Sequence, residues 1–139
     1  MVAIDEFIAD NEVTFVDAYR VATRSNQANF FKESLLACAL AASKGDDGFF
    51  TANDVLEPYT AITQSKKTIS SYDDHLRRFA TDKGGNILKR RGGDRQVQYR
   101  FTDPMMQPYV IIKGIQNQMI DEESKNSLLR QEEPFFPTL

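Results

Sequence analysis

The chain has one cysteine and one histidine in 139 residues. Cys38 therefore has no partner for an internal disulfide, and its Leu and Ala neighbours make it a small core residue. One Cys and one His cannot assemble an ordinary Cys/His zinc site, so no metal is expected. No apolar run approaches the roughly 20 residues that cross a bilayer as a helix. The start, MVAIDEFIADNE, lacks the basic residues and apolar core of a signal peptide, and a cytoplasmic protein is expected. Nowhere does GxxxxGK precede Ser or Thr, and no strand ends in the acidic pair that holds magnesium. Gly84-Gly85 and Gly92-Gly93 are too isolated to cradle phosphate, so no cofactor is expected. The acidic pairs Asp46-Asp47 and Asp73-Asp74 are adjacent in sequence, and adjacent side chains do not face one another on a helix. No nucleophile, base and acid converge by any spacing, which makes this a non-catalytic chain.

What is present is an uneven charge. Residues 66–100 hold ten Lys and Arg against four Asp and Glu, a balance of +6. The remainder holds seven against sixteen, a balance of −9, so the overall −3 conceals a basic module in an acidic protein. Such asymmetry points to an anionic partner for one face, nucleic acid first. The length suits one domain with appendages.

In chain order, residues 1–12 are acidic with scattered apolar residues. Thr14 and Asp17 resemble a capping box, and a helix to about residue 24 places Phe15, Ala18, Tyr19 and Ala22 on one face. Residues 25–29 form a polar break. FFKESLLACALAAS, over about 30–43, is the strongest helix: Phe31, Leu35, Cys38 and Ala42 form a stripe that Leu36, Ala39 and Leu40 widen. Residues 44–48 read as a turn, without the ligand count of a calcium loop. Phe49-Phe50 suits a very short strand. Thr51 and Asp54 again have cap-box spacing before a helix to about residue 62, with a bend or early end expected near Pro58. A helix over 68–80, capped by Thr68, places Ile69, Tyr72, Leu76 and Phe79 on one face. Ile87-Leu88 and the alternating Val97, Tyr99 and Phe101 read as strands, joined through Gly92-Gly93-Asp94.

After the hairpin, Asp103 suits a cap and Pro104 a first helical position. A helix over 104–120, perturbed at Pro108, would use Met105, Tyr109, Ile112, Ile115 and Met119 as its apolar stripe; a strand through YVIIKG is the alternative. The last stretch, from residue 121, is an acidic, turn-rich tail. Its Pro134-Phe135-Phe136-Pro137 segment is expected to dock on a groove of this chain or of a second copy, giving a homodimer in the latter case.

The order helix, short strand, helix, turn, helix, strand, wing, strand is that of a winged helix-turn-helix. The expected class is mainly α (α+β), a winged helix with a small antiparallel hairpin wing and extra flanking helices. FFKESLLACALA, GFFTANDVLEPYTAI, TISSYDDHLRRFATDKGGNIL and the hairpin ending in YRFTDPMMQPYVIIKGI resemble the winged-helix C-terminal region of AAA+ ATPases, of the initiator (origin-recognition-like) and related signalling kinds. The resemblance covers about residues 13–120 and rests on element order and apolar pattern. It implies that 1–25 is the end of an ATPase lid or a linker, 26–102 the winged helix, 103–120 a helix packed on it and 121–139 a tail.

If the module binds DNA, the helix over 68–80 enters the major groove, where Ser70, Ser71, Asp74 and Arg77 reach base edges or phosphates. Lys89, Arg90, Arg91 and Arg95 of the wing lie against phosphates or a minor groove, and Lys66 and Lys67 contact the backbone. Asp73 stands four residues before Arg77, and Asp74 four before Arg78, so ion pairs are expected to neutralise part of that charge. His75, beside the apolar stripe, reads as a half-buried packing residue, with a base contact or general base as the alternatives. The competing function is a protein-interaction winged helix docking on an ATPase core or partner subunit, since fold alone does not choose. A free-standing regulator of the same fold is the third reading.

Overall fold

The computed structural model of the chain describes residues 15–24, 30–44, 47–93 and 96–129. Asp94, Arg95 and the Pro134–Pro137 segment lie outside the described residues, as do Thr14 and the polar break at 25–29. The architecture is mainly helical with one small antiparallel sheet.

Helix α1 (residues 15–23) buries Tyr19 and Ala22 and half-buries Phe15 and Ala18, the expected face. Helix α2 (Phe31–Ala42) is the centre of the fold: Phe31 and every residue from 34 to 42 are buried. Its run of Leu and Ala supplies helix propensity and an apolar surface all round, which a helix keeps only when neighbours cover it. Those neighbours include α3 (Leu56–Thr63), α4 (Asp73–Phe79), α5 (Met106–Gln116) and α6 (Glu122–Leu129).

The Thr51–Asp54 capping box forms in both directions. Thr51 N–H donates to Asp54 Oδ2 at 2.9 Å, and Asp54 N–H donates to Thr51 Oγ1 at 3.2 Å. It opens a 3-10 turn, Asn53–Val55, that runs into α3. Pro58 is the third residue of α3 and does not end it; in a first turn a missing N–H costs little. The next helix is shorter than its sequence pattern. Ile69–Ser71 is a 3-10 turn and only Asp73–Phe79 is α-helical. The Thr68 side chain hydrogen-bonds the Ser70 hydroxyl at 2.9 Å instead of capping the helix. The apolar face is nonetheless as expected: Tyr72, Leu76 and Phe79 are fully buried, and the Tyr72 hydroxyl donates to the Ala52 carbonyl at 2.5 Å.

Strands β1 (Leu88–Arg91) and β2 (Gln98–Phe101) form the hairpin, with Leu88 opposite Phe101, Lys89 opposite Arg100, Arg90 opposite Tyr99 and Arg91 opposite Gln98. Phe50 joins the outer edge of β2 through two bonds with Tyr99, at 2.9 and 2.8 Å. Among the described turn residues only Gly92 has a positive φ, at 96°; Gly93 does not.

Helix α5 corrects the expected stripe in part: Tyr109, Ile115 and Met119 of that stripe pack half-buried against the core. Met106, Val110 and Gly114 are the buried positions, while Met105 is 62% and Ile112 53% exposed. The reason is Gly114: a Cβ there would lie 2.7 Å from Leu36 Cδ2, so the missing side chain lets α5 approach α2 on that face. Pro108 falls in the first turn and leaves the helix unbroken. The tail is corrected too: Glu122–Leu129 is a helix with Leu128 buried. Asp121 caps it, its Oδ1 accepting from Ser124 N–H at 2.6 Å, and those bonds hold its carboxyl below the usual range.

Candidate functional site

Strand geometry divides the cations of the hairpin between two faces. Paired residues share a face, and faces alternate along the strand. Leu88, Phe101 and Tyr99 face the core, and Arg90, paired with Tyr99, is the exposed end of that face. Lys89, Arg91, Arg100 and Gln98 share the other face. There Phe49 sits between two guanidiniums, Arg91 at 3.4 Å from the ring centroid and Arg100 at 4.8 Å. Arg91 also donates to Gln98 Oε1 at 2.9 Å and pairs with Asp47 at 3.7 Å. Lys89, directly opposite Arg100, has no described carboxylate in ion-pair range. Like charges so placed repel.

On the core side, Arg90 turns toward α4. It lines a groove of about 370 Å³ with Arg77 and Asp73 of α4, Asn53 of the 3-10 turn, and Gln96 and Tyr99 of the hairpin. The Tyr99 hydroxyl is pushed up, chiefly by burial, with Arg90 and Arg77 pulling it down and Asp73 pushing it up. The groove thus brings together Arg77 and Arg90, two of the residues singled out from sequence.

The helix is less open than the hairpin. Arg77 donates to Asp73 at 2.6 Å and pairs with Asp74 at 3.0 Å. The expected Asp73–Arg77 pair therefore exists, but Asp74 joins Arg77 and not Arg78, whose guanidinium lies over the Phe31 ring at 5.0 Å. Lys66, Ser70 and Ser71 are exposed ahead of α4 and outside the groove lining. Lys67 lies over the Phe30 ring at 5.5 Å. Sequence reasoning missed Asn53, Phe49 and Arg100. Arg100 was visible as the strand partner of Lys89 once a register is assumed, whereas Asn53 carries no local signal.

His75 is a half-buried residue of α4. Its Nδ1 is 2.6 Å from the hydroxyl of Ser34, which is fully buried and also hydrogen-bonds Tyr59. The direction of the Ser34–His75 bond follows the imidazole tautomer: Ser34 O–H donates to a bare Nδ1, and a protonated Nδ1 donates to Ser34 Oγ. Burial closes Ser34 off from solvent, while the His75 ring stays half-exposed. Burial pushes the His75 pKa down, Asp74 opposes, and Arg78 adds to the depression. A proton is thus refused by the folded chain that the unfolded chain accepts. The associated stability is complete above about pH 6.5 and is lost as pH falls from there through the lowered folded value. His75 is the single histidine. The melting temperature should therefore fall between about pH 7 and about pH 5.5 in the wild type and stay nearly flat in His75→Gln. An equal slope in both proteins would assign the titration elsewhere.

Burial likewise pushes the Cys38 thiol far up, as suits a core residue. Among the described residues no group of three His, Cys, Asp or Glu is placed to hold a metal, and no helix is long and apolar enough to cross a membrane. No family model, no curated protein and no solved structure matches the chain.

Proposed function

We propose that this chain is a winged-helix module that binds duplex DNA through the hairpin and the groove between hairpin and α4. The winged-helix assignment is supported by the sequence α2, Phe50, α3, α4, β1, β2, and by Phe50 pairing with β2 to make a third strand position at the sheet edge. The function rests on one observation above others: Lys89, Arg90 and Arg91 are consecutive exposed cations on β1, and Arg90 converges with Arg77 on one groove. Phosphate contacts supply most of the affinity of such a surface, and the hairpin is the part of the molecule best equipped to make them. The parent architecture, an AAA+-type ATPase carrying this module at its C-terminus, is proposed on the sequence resemblance alone.

The test is fluorescence anisotropy with a labelled duplex across a salt series. Contacts by Lys66, Arg77, Lys89 and Arg90 predict a log–log slope of about −3 to −4. Absence of binding at about 50 mM salt, or a slope near zero, would remove DNA as the partner.

The alternative, docking on an ATPase core or another protein, is favoured by a different surface. Met105, the residue before α5, and Ile112 on it are exposed, and Val16 is exposed on α1, which meets α5 through Phe15 and Tyr109 at 5.6 Å between ring centroids. Exposed apolar side chains grouped on adjoining helices suit a protein partner. This reading predicts that Ile112→Glu abolishes association with that partner and leaves duplex binding untouched.

A further inference from the structure

A second pocket, of about 460 Å³, lies along α4; it shares Arg77 with the hairpin groove and has Asp74 in its lining. That volume suits a small ligand. Its wall is mainly apolar, with the Phe31 ring and the His75 ring set edge to face at 4.8 Å. Its polar groups are unevenly matched. Arg77 at the rim is occupied by Asp73 and Asp74. Arg78 and Lys83 have no described carboxylate within ion-pair range. The Arg78 Nε is buried without an acceptor, a costly state for a charged donor group. Arg78 and His75 both pack on the Phe31 ring, at 5.0 and 4.8 Å from its centroid.

The C-terminal end of α4 also borders the pocket, and a helix C-terminus repels anions. Here its carbonyls are already engaged: Ala80 N–H donates to Arg77 O at 3.2 Å, and Arg78 O accepts from Thr81 N–H at 3.0 Å and Thr81 Oγ1 at 2.7 Å. Two cations without a described carboxylate, Arg78 lying over the Phe31 ring at 5.0 Å and Lys83 beside it in the lining, are the complement of a ring that carries a doubly charged oxyanion. The guanidinium offers parallel donors to phosphate oxygens, and lysine a mobile point charge.

We propose that this pocket binds a small phosphorylated aromatic, its phosphate taken by Arg78 and Lys83 and its ring lying against Phe31 and His75. The site is separate from the hairpin and does not depend on DNA binding. Two sources share the chemistry, an aryl phosphate ester and a nucleotide, and phenyl phosphate and adenosine 5′-monophosphate distinguish them. The single histidine makes the readout specific: the carbon-bound imidazole protons of His75 should shift on titration at about pH 7.5, where the ring is neutral. Binding should weaken at least tenfold in Arg78→Gln/Lys83→Gln and stay unchanged in Lys89→Glu/Arg90→Glu. Stronger binding of phenyl phosphate assigns the aryl ester, and stronger binding of the nucleotide assigns the nucleoside phosphate. If neither compound moves His75 at millimolar concentration, the proposal is wrong. It is equally wrong if inorganic phosphate binds as tightly, or if the double variant, with its amide spectrum intact, binds as well as wild type.

Discussion

Lys89→Glu/Arg90→Glu should weaken duplex binding about 100-fold at about 50 mM salt and reduce the salt slope by about 2, one phosphate contact for each lost cation. The choice of these two residues comes from their surroundings. Arg91, singled out from sequence alongside them, stacks on Phe49, pairs with Asp47 and donates to Gln98. Its charge is partly spent inside the hairpin, so Arg91→Ala should cost packing as well as affinity. Lys89 and Arg90 have no such commitments among the described carboxylates. The double reversal also carries an internal control for folding. Glu at position 89 would stand directly opposite Arg100 and convert a cross-strand repulsion into an attraction. Thermal stability should therefore hold or rise slightly while binding collapses. Arg77→Ala is the useful contrast. It removes one cation but releases Asp73 and Asp74 toward the ligand, and its loss of affinity should be distinctly smaller than that of the double reversal. If Arg77→Ala abolished binding while the hairpin reversal left it intact, the main contact would belong to α4 and the groove, and the hairpin would be structural.

The parts of the fold that could be read from sequence are those whose signals are local. The stripe of α2 and the face Ile69, Tyr72, Leu76 and Phe79 follow from helical spacing alone. The Thr51–Asp54 box is a four-residue pattern with a fixed hydrogen-bond consequence, and both bonds form. Asp73–Arg77 is of the same kind. Failures come where a tertiary neighbour decides. On α5, side-chain hydrophobicity favours the face carrying Met105 and Ile112, but the absence of a side chain at Gly114 is worth more because it admits Leu36. Counting apolar residues cannot register a contact made by a glycine. Asp74 is drawn to Arg77 because Arg78 has an aromatic ring from α2 to lie on, a choice that i,i+4 spacing cannot foresee. The candidate sites follow the same division. The basic run on β1 is plain in the sequence. The groove that adds Asn53, and the pocket that sets Phe31 beside Arg78 and Lys83, exist only because distant segments pack together.

Gly84→Ala should be the most damaging single-methyl change in the connection between α4 and the hairpin. A Cβ on Gly84 would lie 2.2 Å from the Arg78 carbonyl oxygen, 2.7 Å from its carbon and 2.7 Å from Phe79 Cα. All three are backbone atoms of the last turn of α4, and none is the end of a side chain that could swing away. The chain is drawn this tight because Thr81 acts as a hub. Its carbonyl accepts Gly84 N–H at 3.1 Å and Asn86 N–H at 2.9 Å, folding the segment back on the helix end. Gly85 and Asn86 then take left-handed conformations, φ 75° and 50°, and deliver the chain into β1. A methyl at position 84 must push α4 away from this turn, and an overpacked site with rigid neighbours costs about 3 kcal/mol. That corresponds to a melting temperature lower by about 10 °C for a domain of this size. Gly85→Ala is the internal comparison. Its Cβ would come tight against Val21 Cγ1 alone, at 3.2 Å, with Val21 Cβ at 3.5 Å and the Ala18 carbonyl oxygen at 3.6 Å in ordinary contact, and its penalty is mainly the left-handed φ, about 1–2 kcal/mol. The ranking matters more than either value, because it separates a backbone clash from a conformational preference. The consequence for function follows from position. Residue 84 sets the angle between the helix that carries Arg77 and the strand that carries Arg90. Gly84→Ala measured well below its melting temperature should therefore bind duplex more weakly than Gly85→Ala, even when both are folded. Equal binding by the two variants would mean that Arg77 and Arg90 act independently, and that the groove between them is not the element that recognises the ligand.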